Sequence, residues 1–170
     1  MNTKNNKRRR ESQKKIEEAF IRMLQREHLN KISVTDICKE TGLNRTTFYA
    51  NYTDIYDLAD KIRQEIEDTF NKALMKKEDR NAITFFRLIY ENQIMFQTYF
   101  KLDYDKEHIG TYLNSDKIKE GFQGDLLPYH IAFFQNGLNA IIKMWLESGC
   151  RETPEEMADF IKREYRRTIR

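Results

Sequence analysis

A chain of 170 residues can hold one domain, or a small domain joined to a larger one, and can enclose a real core. Charged residues make up 34% and hydrophobic residues 39%, and two prolines and six glycines leave room for long uninterrupted helices. No apolar run approaches the roughly 18 residues of a membrane span, and the basic start MNTKNNKRRRESQKK lacks the apolar stretch of a secretion signal, so a cytoplasmic protein is expected.

The net charge of +3 conceals an asymmetry. Residues 1–63 carry 14 Lys/Arg against 9 Asp/Glu, a local charge of +5, and the remainder carries −2. Positive charge gathered at one end points to a polyanionic partner for that end. Cys38 and Cys150 lie far apart with no CxxC nearby, and His28, His108 and His130 are equally scattered. The thiols read as small packed hydrophobes, with no metal or other cofactor expected.

In chain order, the first dozen residues read as a flexible basic arm. A helix is predicted from Ser12 to about His28, because Ile16, Ala19, Phe20, Met23 and Leu24 form one apolar stripe, with Glu17 and Glu18 opposite. In SVTD, Ser33 to Asp36, a serine and an acid three residues on make a capping box for a second helix. Gly42 follows, where a sharp turn can use positive φ without a Cβ penalty. Asn44 then caps a third, short helix through Arg45, Thr46, Thr47, Phe48 and Tyr49. Two short helices joined by a glycine turn form a helix-turn-helix.

A fourth helix is predicted after Thr53 or Asp54, buried along Ile55, Leu58, Ala59, Ile62, Ile66 and Phe70, and running to about Lys76. KKEDRN, Lys76 to Asn81, reads as a solvated break. Ala82 to Phe100 reads as a central helix that is apolar on several faces. Lys101 to Leu127 is polar and irregular, with room for one or two short helices. Pro128 suits the first turn of a long helix over Tyr129–Ser148, closed by Gly149. Thr153-Pro154-Glu155-Glu156 opens a last helix to about Arg167. The expected fold is all-α. Residues 1–53 form the basic arm and helix-turn-helix domain, 54–76 a connecting helix, and 77–170 a helical ligand-binding and dimerisation domain.

A helix that reads DNA must offer the major groove side chains that reach base edges and phosphates. Outside the core positions Leu43, Phe48 and Tyr52, the third helix offers Arg45, Thr46, Thr47, Tyr49 and Asn51. Arg45 suits guanine O6 and N7, the threonines suit phosphates or a thymine methyl, and the Tyr49 hydroxyl suits a phosphate. Thr35, early in the preceding helix, lies where amides and a hydroxyl favour a backbone phosphate. No carboxylate interrupts this helix. The bland alternative is a solvated face on a structural helix pair.

These residues strongly resemble the TetR (tetracycline-repressor-like) family of bacterial transcription regulators. The resemblance runs over Ser12 to Arg63 through Val34-Thr35-Asp36-Ile37-Cys38, Gly42, Phe48-Tyr49, Tyr52 and Leu58. FFQNGLNAIIKMWLESGCRETPEEMADFI also resembles the closing helices of a subgroup found in low-GC Gram-positive bacteria. Carried over residue by residue, the DNA contacts implied are Thr35, Arg45, Thr46, Thr47, Tyr49 and Asn51. One departure stands out: where the family usually has a phosphate-contacting lysine at the start of the fourth helix, this chain has Ile55. Lys7 to Arg10 offer an offset by entering the adjacent minor groove; alternatively they form a solubilising tail.

The partners expected are a double-stranded DNA operator, palindromic, and a second copy of the chain. The last two helices are the expected dimer interface, with Ile131, Phe134, Leu138, Ile141, Ile142, Trp145 and Leu146 joined by Met157, Phe160 and Ile161. All of these can instead be intrachain core. Phe85, Phe86, Tyr90, Met95, Phe96, Tyr99, Phe100 and Tyr104 could line a cavity for a small-molecule effector, or simply fill the core. The expected function is a homodimeric repressor, with relief by a small molecule open. The alternatives are an activator or co-activator, or an interaction module that keeps the fold and works through a protein partner. With no Gly-rich phosphate loop and no nucleophile motif, an enzyme is not expected.

Overall fold

Regular structure in the computed structural model is helical throughout the described residues, which are 4–75, 81–102 and 125–168. Their order is α1 (Lys4–Arg26), a 3-10 turn (Leu29–Lys31), α2 (Val34–Thr41), α3 (Arg45–Tyr49), α4 (Ile55–Met75), α5 (Ala82–Glu91), α6 (Gln93–Leu102), α7 (Leu127–Glu147) and α8 (Pro154–Thr168). None of the described helices is long and apolar enough to cross a membrane. The chain divides into two compact units, Met1–Asp68 with Thr98–Asp103, and Thr69–Gln97 with Tyr104–Arg170.

In the first unit α1 begins at Lys4, not at Ser12, so the expected flexible arm is helical from that point. Lysine, arginine, glutamine and glutamate are good helix formers, and no glycine or proline interrupts the stretch. Ile16, Ala19, Phe20 and Leu24 of α1 are fully or almost fully buried with Ile37 of α2, Phe48 of α3, Tyr52, and Leu58, Ala59, Ile62 and Ile66 of α4. Burial of each large apolar side chain stabilises by about 1.5–3 kcal/mol, which is what holds so short a helix as α3 in place.

The caps expected from sequence form. The Ser33 hydroxyl accepts from the Asp36 amide at 3.2 Å, and Asp36 answers through its carboxylate to the same hydroxyl. Gly42 ends α2 at φ 68°, the left-handed region where a side chain is strained. At the far end of α1, the Lys101 ammonium donates to the carbonyls of Leu24 and Gln25 at 2.9 and 2.8 Å. The Gln25 amide donates to Thr98 Oγ1 at 3.0 Å. The last turn of α6 thus satisfies carbonyls that the end of α1 leaves open.

The second unit is built on aromatic packing. Phe70 meets Phe85 and Phe96 edge to face at 5.7 and 5.2 Å, and Phe86 meets Trp145 at 5.5 Å. The segment 82–100, expected as one helix, breaks at Asn92. The Asn92 side-chain amide donates to the Leu88 carbonyl at 2.8 Å, a local bond that competes with continuing the helix. Thr153 and Glu156 form a reciprocal capping box at the start of α8, and Arg87 of α5 pairs with Glu155 beside it. Gly149 closes α7 at φ 78°.

Six of the expected interface residues belong to this core, Leu138, Ile142, Trp145 and Leu146 on α7 and Met157 and Ile161 on α8. Leu138 and Trp145 are each 2% exposed within one chain, with Ile142 and Leu146 beside them. The Trp145 indole N–H donates to the Glu152 carbonyl at 3.0 Å. Their face of α7 packs inward, so they are unavailable to a second copy. Phe134 and Ile141 are half-buried and Phe160 is exposed. Of the rings offered as cavity walls, Phe85, Phe86 and Phe96 are buried in this core and Tyr90 is 45% exposed. Tyr104, like most of the irregular segment after Lys101, lies outside the described residues.

Candidate nucleic-acid interface

The helix-turn-helix orients its polar residues through its caps. The Asn44 side-chain carbonyl accepts from the Thr47 amide at 2.8 Å and from the Thr47 hydroxyl at 2.9 Å. Thr47 is therefore half-buried and its hydroxyl proton is committed to the cap. Phe48 anchors α3 in the core, its ring edge to face with Tyr49 at 5.6 Å and tilted against Tyr52 at 5.7 Å. With Phe48 inward, Arg45, Thr46 and Tyr49 turn outward, and Tyr49 is 55% exposed.

Two candidates meet each other. The Arg45 guanidinium donates to Thr35 Oγ1 at 2.7 Å, which fixes its direction across the start of α2. Asn51 lies just past the end of α3. Its amide donates to the Thr47 carbonyl at 2.8 Å, and its carbonyl accepts from Arg9 Nε at 3.2 Å. Arg45, Thr46 and Tyr49 are thus presented, Thr35 supports Arg45, and Thr47 and Asn51 make bonds within the protein.

Three neighbours escaped the sequence reading. Arg9, itself exposed, reaches the end of α3 because it falls seven residues before Ile16, on the same side of a helix expected to start later. Lys61 donates to the Asn51 carbonyl at 3.2 Å and to Asp57 at 3.0 Å, with its ammonium 4.9 Å from the centre of the Tyr52 ring. Its spacing of four from Asp57 was the available signal. Glu17, expected on the solvent face, accepts from the Tyr52 hydroxyl at 2.6 Å and from Gln13 at 3.0 Å.

Burial first, and the bond to Glu17 second, hold the Tyr52 hydroxyl well above its ordinary pKa, so it remains a donor. Asp57 sits below the usual carboxylate range, chiefly through the bond from the Thr53 amide and then through Lys61. Ile55 is 8% exposed and packs inward, whereas the adjacent Tyr56 is 62% exposed. From Gly42 to Thr53 there is no carboxylate.

The described residues are all-helical in their regular structure, with a cap-built helix-turn-helix in one unit and a helical bundle in the other. Residues 78–164 match the TetR-type family described as a transcriptional regulator C-terminal region. The chain belongs to the TetR family of transcriptional regulators, and is a regulator rather than an enzyme. Among solved structures it is similar to one titled "Dihydroxyacetone kinase operon activator DhaS", at 23% identity and a TM-score of 0.54. The alignment covers 93% of this chain and 96% of that one, a likeness of fold. No curated protein matches.

Proposed function

We propose that the protein is a homodimeric DNA-binding repressor that occupies a palindromic operator in the cytoplasm. One observation carries this: α3 presents Arg45, Thr46 and Tyr49 on a surface free of carboxylates from Gly42 to Thr53. Phosphates repel acids and reward cations, so such a surface suits a duplex. Arg45 is the base reader, held by Thr35, and Thr46 and Tyr49 address the backbone. A second copy of the chain supplies the other half-site, through the outward face of α7. Tyr129, Phe133 and Met144 are exposed there in line with Gly137 and Ala140.

Selection of bound sequences from a random duplex pool at two salt concentrations tests the proposal. A two-fold symmetric consensus is expected, and Arg45→Ala should cost roughly 1–3 kcal/mol and relax preference at one base pair. Enrichment of no sequence would refute it.

A second reading, activation through a protein partner, is favoured by a different observation. Ile55 is buried where the family usually has lysine, and Tyr56 stands on a surface recess of about 310 Å³ lined also by Leu29, Ile32 and Val34. The structural neighbour is itself titled an operon activator. Transcription from the selected operator, with and without the protein, separates the two signs of regulation.

A further inference from the structure

We infer that Arg9 is a positioning residue for DNA reading, which sets the C-terminal end of the recognition helix instead of serving only as a phosphate contact. The inference rests on the proposal that α3 reads DNA. Helix α3 has only five residues, and its Thr46 and Phe48 carbonyls accept from the amides of Ala50, Asn51 and Tyr52 that follow it. Two cations from other elements hold this closing stretch. Arg9, from α1, donates Nε to Asn51 Oδ1 at 3.2 Å and its terminal nitrogen to the Ala50 carbonyl at 3.4 Å. Lys61, from α4, donates to the Asn51 carbonyl at 3.2 Å.

Asn51 is the joint of this arrangement. Its amide nitrogen returns to the Thr47 carbonyl while its oxygen receives Arg9, so the guanidinium holds the side chain that ties the last turn of α3 together. One turn further along α1, Gln13 and Glu17 continue the same seam to the Tyr52 hydroxyl. Tyr49 projects from the stretch so fixed. Guanidinium geometry matters here, because two directed donors reach two acceptors at once and an ammonium on a flexible stem offers no such fork.

The test is a double-mutant cycle on the operator selected by the full chain. Binding of wild type, Arg9→Ala, Arg9→Lys, Asn51→Ala and the Arg9→Ala/Asn51→Ala pair is measured at two salt concentrations. Expected for Arg9→Ala is a loss of about three- to tenfold, with an unchanged salt slope and little further loss once Asn51 is already alanine. Arg9→Lys should not rescue. In the DNA-free protein, amide exchange at Ala50–Tyr52 should quicken in Arg9→Ala while unfolding is unaltered. The inference is overturned if Arg9 and Asn51 act additively, if lysine restores binding, or if the salt slope falls by about one, as for a plain phosphate contact. A wild-type chain that enriches no sequence would instead refute the DNA-reading proposal, and this inference with it.

Discussion

Helix α7 has two apolar faces, one packed in the core and one exposed, and one pair of substitutions separates the roles proposed for them. Trp145→Ala removes a side chain 2% exposed, edge to face with Phe86 and stacked on Tyr90 at 6.2 Å. A deletion of that size from a packed core costs about 3–5 kcal/mol. Its effect should appear in chemical unfolding followed by far-UV circular dichroism, as a midpoint lowered by a similar amount at every protein concentration. Phe133→Ser removes a ring 73% exposed within one chain. A phenyl side chain can bury about 150–250 Å², so more than about 100 Å² of it awaits cover. At about 25 cal/mol per Å², covering about 100 Å² contributes roughly 2.5 kcal/mol for each ring, and the two rings of a two-fold dimer together about 5 kcal/mol, on the order of a thousand- to ten-thousandfold in the dimer dissociation constant. Sedimentation across a dilution series is the assay. Phe133→Ser should shift the protein toward monomer without weakening the fold of the single chain. A Phe133→Ser dimer of unchanged affinity would refute the assignment of this face to the second copy.

Gly42→Ala places a Cβ in open space but at φ 68°, so strain alone should destabilise the first unit by about 1–2 kcal/mol; thermal unfolding checks it, and an unaltered midpoint would mean the turn relaxes. Glu156 caps α8, and the bond from the Thr153 amide first, then the Thr153 hydroxyl, hold its carboxyl below the usual value near 4.5. A lowered folded pKa means the stabilisation is present above about pH 4.5 and lost as pH falls through the folded value. The stability gap between wild type and Glu156→Gln should therefore be full at neutral pH and close in acid. Fluorescence of Trp145, the single tryptophan, reports it directly through its bond to Glu152.

Much of the fold was legible because local chemistry specified it. Ser33, Gly42, Asn44 and the Thr153–Glu156 pair each cap or end a helix with their own side chain or backbone, and such bonds need no distant partner. Helix periodicity likewise placed Ile16, Phe20, Leu58 and Ile62 inward. Misjudged features depended on neighbours. The α1 start was set too late because charge runs read as loop when no packing partner is in view, although the same lysines and arginines favour helix. Asn92 ended a helix by bonding Leu88, a choice no periodicity encodes. On α7 both faces are apolar, so sequence could not say which one met α5 and which met solvent. At the candidate interface, Arg45 and Tyr49 stood out by type and position. The bond between Arg45 and Thr35, and the reach of Arg9 to Asn51, arise only when three helices converge.

That convergence bears on Ile55. A lysine at the first turn of α4 would bring a cation close to the end of the recognition helix, and here the position is turned inward and apolar. Returning a charge to a site 8% exposed would require desolvating it or rotating the turn. The positive charge at this end of α3 comes instead from Arg9, on a helix extended toward the N-terminus, and from Lys61, six residues further along α4. Both are exposed cations bonded to the recognition helix's closing residues. Under the DNA-reading proposal, the lysine's absence is therefore offset through the orientation of α3. With Ile55 buried, the exposed side chain at the start of α4 is Tyr56, an aromatic ring that suits a protein neighbour under the second reading.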